Sequence, residues 1–163
     1  MSERNWALGR GAAAALALMI VLPGCGGGSS GGGNTNAPTT PAAPVRSLIG
    51  NFNFTVAGVP EANRNGLQRD FFLQQLTINE NGSLEVVADW TFASNDIDVV
   101  LFRGTCTPAL ITSTGCTAIG ATTSVTAKPE RLTVTVTPGA YTIGITNFGQ
   151  TNESGVGQVF LTR

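Results

Sequence analysis

The sequence predicts an all-β fold, an antiparallel and jelly-roll-like β-sandwich of about eight strands. It fills residues 46–163, behind a leader at 1–24 and a linker at 25–45. Three observations carry this reading. Apolar residues recur at every second position in one run after another, the period of a half-buried antiparallel strand. Clusters of Asn, Asp, Ser, Pro and Gly punctuate those runs at the close spacing of short-stranded sandwiches. No segment after residue 45 offers the apolar stripe of an amphipathic helix.

In chain order, NFNFTV (51–56) is a short alternating run. FFLQQLTI (71–78) begins with Phe71 and Phe72, which must point to opposite faces, so one of them is a candidate contact residue, as is Phe148 at a turn edge. SLEVVADWTF (83–92) places Leu84, Val86, Ala88, Trp90 and Phe92 on one face, the predicted core. DIDVVLF (96–102) is apolar almost throughout, as a central strand covered on both sides should be. ATTSVTA (121–127) is a further weak run, and RLTVTV (131–136) turns Leu132, Val134 and Val136 one way. AYTIGITNF gives Tyr141, Ile143 and Ile145 a common face, and GQVFLTR (157–163) closes the chain. Turns fall at Asn79–Gly82, Ser94–Asp96, Thr137–Gly139 and Asn147–Gly155. Pro138-Gly139 puts proline where φ is fixed and glycine where φ must be positive.

The leader is of a different kind. Arg4 and Arg10 precede GAAAALALMIVL (11–22), an apolar run too short for the roughly 20 residues of a spanning helix. A positive start, such a run and small residues after it predict a secretory signal peptide. Leu22-Pro23-Gly24-Cys25 resembles the bacterial lipobox. The resemblance implies a diacylglyceryl thioether on Cys25, cleavage after Gly24 and acylation, with palmitate for example, of the new amino terminus. Two or more acyl chains make a stable anchor where one does not. Gly26 is not the aspartate that retains some lipoproteins at the inner membrane, so the resemblance further implies an outer-membrane position. GGGSSGGGNTNAPTTPAAPV (26–45) cannot bury enough apolar area to offset chain entropy and should act as a tether.

Several functions are excluded by composition. Nine Lys and Arg against ten Asp and Glu give a net charge of −1, without the basic patch a nucleic-acid surface needs. The chain contains no histidine, which removes Ser-His-Asp and Cys-His nucleophile systems and histidine-based metal sites. Glu85 and Asp89 share a strand face about 13 Å apart, too far for a glycosidase pair, and nothing marks Asp96 and Asp98 as acid and base. No catalytic residue is assigned, and the chain is not expected to be an enzyme.

With Cys25 set aside, Cys106 and Cys116 remain in GTCTPALITSTGCTA, a loop-like insert. In an exported protein an even remainder favours a disulfide. In the chain-entropy description, closing that loop contributes about 2.7 kcal/mol. Asn95, Asp96 and Asp98 offer oxygen donors of the sort calcium takes, with Asn152 and Glu153 able to add more if the loops converge. The competing reading is that Asn95 and Asp96 open a turn by bonding their own backbone, and that Asp98 faces solvent or pairs with Arg131.

From about 67 to 162 the order of pieces resembles the bacterial pre-peptidase C-terminal domain. LQRDFFLQQLTINENGSLEVVADW stands for its aromatic strand, turn and alternating strand. DIDVVLF stands for its acidic-x-acidic strand, ERLTVTVTPGAYTIGITNF for a turn-and-tyrosine hairpin, and GQVFLT for the last strand. The NFNFTV strand and the cysteine insert are outside that pattern. Members are generally non-catalytic, so the resemblance implies a binding or interaction module. Its expected partners are the membrane, through the lipid, and an envelope protein or polysaccharide. A structural component of a surface assembly, or a calcium-stabilised sandwich, are the alternatives.

Overall fold

The period-two runs become eight strands in two four-stranded sheets with every pairing antiparallel, ordered β1-β8-β3-β6 and β2-β7-β4-β5. The structure, a computed structural model, describes residues 42–59 and 70–163; the leader, Cys25 and most of the linker lie outside them. The elements are β1 (Arg46–Val56), β2 (Phe72–Ile78), β3 (Gly82–Trp90), β4 (Ile97–Arg103), α1 (Pro108–Thr112), β5 (Thr117–Ala121), β6 (Glu130–Val136), β7 (Gly139–Asn147) and β8 (Glu153–Thr162).

Consecutive strands change sheet at every connection except β4 to β5, which is the double Greek key of a jelly roll. The turn clusters of the sequence are therefore corners between sheets. Thr137 and Pro138 carry the chain from β6 to β7, and Gly139 has φ of +149°, a conformation side chains rarely adopt. The Tyr141 hydroxyl locks this corner, donating to the Thr137 carbonyl at 2.7 Å and accepting from the Thr137 N–H at 3.1 Å. The hairpin expected here is not formed: β6 bonds to β3, whereas β7 bonds to β2 and β4.

The core lies between the sheets. Phe54, Leu84, Val86, Trp90, Leu132, Val136, Val159 and Leu161 come from one sheet; Ile78, Ile97, Val99, Leu101, Tyr141, Ile143 and Ile145 come from the other. β4 is covered on both faces as expected, with Phe102 on its outer side 5% exposed.

Three local expectations change. Phe92 is not core but 55% exposed, because β3 ends at Trp90, whose indole N–H donates to the Phe92 carbonyl at 3.0 Å. The strand expected at 121–127 sits earlier, as β5. The Thr122 hydroxyl accepts from the Val99 N–H at 2.8 Å near the strand's end, and Ser124 Oγ then accepts from the N–H groups of Thr126 and Ala127, turning the chain away. The cysteine insert contains a one-turn helix, α1, capped by Thr107 and carrying proline in its first turn.

Where β1 meets β8, aromatic rings lie on glycines. Phe52 pairs with Gly157 and Phe54 with Gly155, and a Cβ at either glycine would run into the facing ring. Gly50, on the same inward side, is different: its φ is not positive and an added Cβ would meet only Val159, at 3.9 Å. Gly157→Ala should therefore lower unfolding free energy by about 1–3 kcal/mol through overpacking. Gly50→Ala should leave it unchanged or raise it by about 0.4–1 kcal/mol. Urea denaturation of the two variants side by side checks both.

Candidate functional site

At the end of the sandwich where β3 gives way to β4 and β7 to β8, one carboxylate organises the loops. Glu153 opens β8 and is 1% exposed. Its Oε1 accepts from the N–H groups of Thr91 (3.1 Å) and Ser154 (2.9 Å), and its Oε2 from the Phe92 N–H and the Asn95 Nδ2, both at 2.9 Å. The other end of the Asn95 amide accepts from the Thr151 hydroxyl at 3.1 Å. Burial pushes the Glu153 carboxyl upward, but the donors from Asn95, Phe92, Ser154 and Thr91 together hold it below its ordinary value.

Of the oxygen donors considered for calcium, those of Asn95, Asn152 and Glu153 are engaged in hydrogen bonds. Asn95 and Glu153 bond each other, and Asn152 Oδ1 turns aside to accept from the Gly58 N–H at 3.1 Å. Asp98 is 6% exposed, so it does not face solvent, and Arg131 pairs with Glu85 at 2.9 Å. Asp96 accepts, through its carbonyl, from the Phe148 N–H at 2.7 Å. Among the described residues no group of three His, Cys, Asp or Glu is placed to hold a metal ion. Glu130, 3% exposed at the start of β6, has its carboxyl pushed up by burial and by the charge of Asp96, against the opposing Arg131 N–H and Thr122 hydroxyl. Its Oε1 has no hydrogen-bond partner among the described residues.

Cys106 and Cys116 are joined in a disulfide that closes the insert after β4. Cys106 is buried, and its N–H donates at 2.9 Å to the Thr142 hydroxyl, which donates at 2.8 Å to the Gly104 carbonyl. The insert is thereby tied to β7 as well as to itself.

On the outer face of the β1-β8-β3-β6 sheet, charges are matched across strands. The Arg46 guanidinium lies 3.3 Å over the Phe160 ring and reaches Glu85 at 2.7 Å, while Arg131 holds the other Glu85 oxygen. Lys128 pairs with Asp89 at 2.7 Å. On this face three cations are thus paired with two carboxylates.

The feature the sequence did not announce is a cleft of about 300 Å³ at the open edge of the sandwich, between edge strands β1 and β2. Gly50, Asn51 and Phe52 form one wall, Gln74 to Thr77 the other, and Ile143 and Val159 stand behind. A signal for it was present in the pattern. Gln74 shares the inward parity of Phe72, Leu76 and Ile78, opposite Ile143, and Gly50 shares that of Phe52 and Phe54, opposite Val159. Each interrupts an otherwise apolar inward row. Of the aromatic contact candidates, Phe72 packs inward against Phe52, whereas Phe71 lies with Phe102 and Leu73 over Gly144 on the outer side.

No protein-family pattern matches the sequence, and no curated protein does. Among solved structures, the crystal structure of the Macrobrachium rosenbergii nodavirus P-domain is similar with a TM-score of 0.31 and 10% identity, covering 74% of this chain and 94% of that one. A likeness that loose carries no argument.

The two buried glutamates should respond oppositely to pH. Glu153, depressed, contributes stability above the ordinary value of 4.5 and loses it as pH falls through its lower folded value. Glu130, raised, leaves the fold most stable below 4.5 and less so as pH rises through its higher folded value. Glu153→Gln should cost about 1.5–3 kcal/mol at neutral pH, a deficit that narrows in acid. Glu130→Gln should stabilise at neutral pH, with the gain vanishing in acid. Unfolding curves recorded across the acid range for both variants check the signs.

Proposed function

We propose that this chain is a lipid-anchored binding or interaction module of the cell envelope that performs no catalysis. The observation that carries the binding half is the cleft between β1 and β2: a recess with no charged residue among its described lining, on a scaffold whose β1-β8-β3-β6 face carries paired charges and whose loop end is tied down by hydrogen bonds. Recesses of about 300–1,000 Å³ with a few placed polar groups are where small ligands bind. The anchoring half rests on the signal-peptide pattern and on Leu22-Pro23-Gly24-Cys25. Among the described residues no helix is long and apolar enough to cross a membrane. The lipid on Cys25 supplies the attachment, the linker supplies reach, and the sandwich presents the cleft.

The test uses the full chain expressed in a bacterium with an outer membrane and fed labelled palmitate. The wild-type chain should take up label, Cys25→Ser should not, and globomycin should cause an unprocessed precursor to accumulate. A photo-cross-linking residue at Gln74 should give a discrete adduct in native envelopes, whereas one at Thr133, on the outer face of the other sheet, should not. An unlabelled wild-type chain contradicts the anchor. Identical cross-linking patterns at the two positions contradict the binding site.

A further inference from the structure

We infer that the end of the sandwich at which the linker arrives docks on an anionic lipid surface, so that the domain stands on the membrane instead of tumbling above it. The inference rests on the lipid-anchor reading and adds an orientation to it. The topology defines two ends. At the linker end β1, β3, β5 and β7 begin and β2, β4, β6 and β8 finish; at the far end Glu153 gathers the loops. The chain enters at the first of these, where Val45 and Arg163 exchange backbone hydrogen bonds of 2.9 and 3.1 Å.

Apolar exposure gathers at this entry point. Val45 is 61% exposed and Leu48 53%, and Ile49 beside them is exposed too. The register shift between Leu48 and Gly50 is the cause. Ile49 is the extra residue of a bulge, with no partner in β8, so two neighbouring apolar side chains escape the alternation that would bury one of them. Leu110 is exposed on the cysteine insert, which leaves β4 at Arg103 and re-enters the sheet opposite it at Thr117, at the same end.

Charge separates the two ends. Arg46, Arg103 and Arg163 stand at the linker end against Glu80, which Arg163 reaches at 2.8 Å, and Glu85, which Arg46 reaches at 2.7 Å. Arg103 is held by the hydroxyls of Thr137 and Tyr141, not by a carboxylate, among the described residues. The far end collects Asp70, Asp89, Asp96, Asp98, Glu130 and Glu153. Its described cations are Lys128 and an Arg131 that reaches back to Glu85. An anionic headgroup surface attracts the first end and repels the second.

The anchor makes so small a surface sufficient. A linker of about 20 residues has a root-mean-square span of about 25 Å, which keeps this end close to the bilayer. A tethered site meets its partner at an effective concentration on the order of millimolar, so a few apolar side chains and arginines hold a linked domain where they would lose a free one. Phe92 and Val125 are also exposed, but at the far end. Presenting them would lift the linker's attachment by the length of β1, about 36 Å for eleven residues, beyond that span.

The experiment reconstitutes the chain, as matured by a bacterium with an outer membrane, in vesicles of phosphatidylethanolamine and phosphatidylglycerol. Their acyl chains carry bromine, a contact quencher of tryptophan. Leu48→Trp and Phe92→Trp put one reporter at each end, read against the wild-type emission of Trp90. Leu48→Trp should be quenched at least about twofold more than Phe92→Trp, since interfacial side chains sit about 5–10 Å into the acyl boundary. Adding Ile49→Ser and Leu110→Ser, or replacing phosphatidylglycerol by phosphatidylcholine, should cut that excess by at least about half. Val45→Trp serves as the reporter should Leu48→Trp fail to fold. Equal quenching at the two ends, stronger quenching of Phe92→Trp, or an excess indifferent to these changes overturns the inference. Flotation of the wild-type chain with the vesicles separates the two readings. A chain that floats without the excess loses only the docked orientation, and one that does not float loses the anchor as well.

Discussion

Two phenylalanine rings resting on two glycines set the geometry on which the candidate site depends. Phe52 and Phe54 point inward from β1 and find no side chain opposite, only Gly157 and Gly155 of β8. The rings can therefore lie flat against the sheet and extend to Phe72 of β2. Phe52 stacks on it at 5.6 Å and 13°, and Phe54 meets it at 6.2 Å and 48°. β1 and β2 belong to different sheets, so this aromatic cluster closes the sandwich edge along one stretch. At the next inward position, Gly50, the row of rings ends and the edge stays open. Closure and opening are thus consequences of one strand read in steps of two.

The remainder of the molecule steadies that edge. At the loop end, Glu153 gathers four N–H donors into a carboxylate that water scarcely reaches. Leaving such donors unmatched would cost about 1–3 kcal/mol apiece, so the loops between sheets are held more firmly than their Asn, Ser and Gly content suggests. The disulfide and the Thr142 hydroxyl do the same for the insert after β4. Across the β1-β8-β3-β6 sheet, Arg46 and Arg131 share Glu85. The Arg46 hydrogen bond, opposed by burial and joined by Arg131, keeps that carboxyl below its ordinary value. These pairs are partly exposed and contribute modestly; their effect is to link β1, β3 and β6 across the sheet's outer face.

Much of the fold was legible because burial writes a period-two signature. Leu84, Val86, Ala88 and Trp90 alternate with Glu85, Asp89 and their neighbours, and the sheets sort them accordingly. The disulfide was legible from parity alone. The failures share one physical cause: alternation reports which side a residue faces but not where a strand stops or which strand it joins. Phe92 continued the inward parity of β3 after the strand had already ended, and ATTSVTA carried strand-like residues that Ser124 and Thr122 diverted into a loop. The Thr137–Tyr141 corner read as a hairpin because the same tight turn serves to reverse a strand or to change sheets. The cleft was half legible, since Gly50 and Gln74 break their inward rows. That the two breaks face one another follows from β1 and β2 lying at the same edge, which only the topology reveals.

The central claim is that an aromatic cluster closes one part of the sandwich edge and leaves an open recess beside it. Proton NMR of the full chain, recorded with a soluble paramagnetic relaxation agent, tests it directly. The account predicts nuclear Overhauser contacts between the Phe52 and Phe72 rings together with strong relaxation of the Asn51 and Gln74 side-chain amides. Absence of the ring contacts, or a Gln74 amide shielded from the agent, would mean that the edge is built otherwise and that no recess is there to fill.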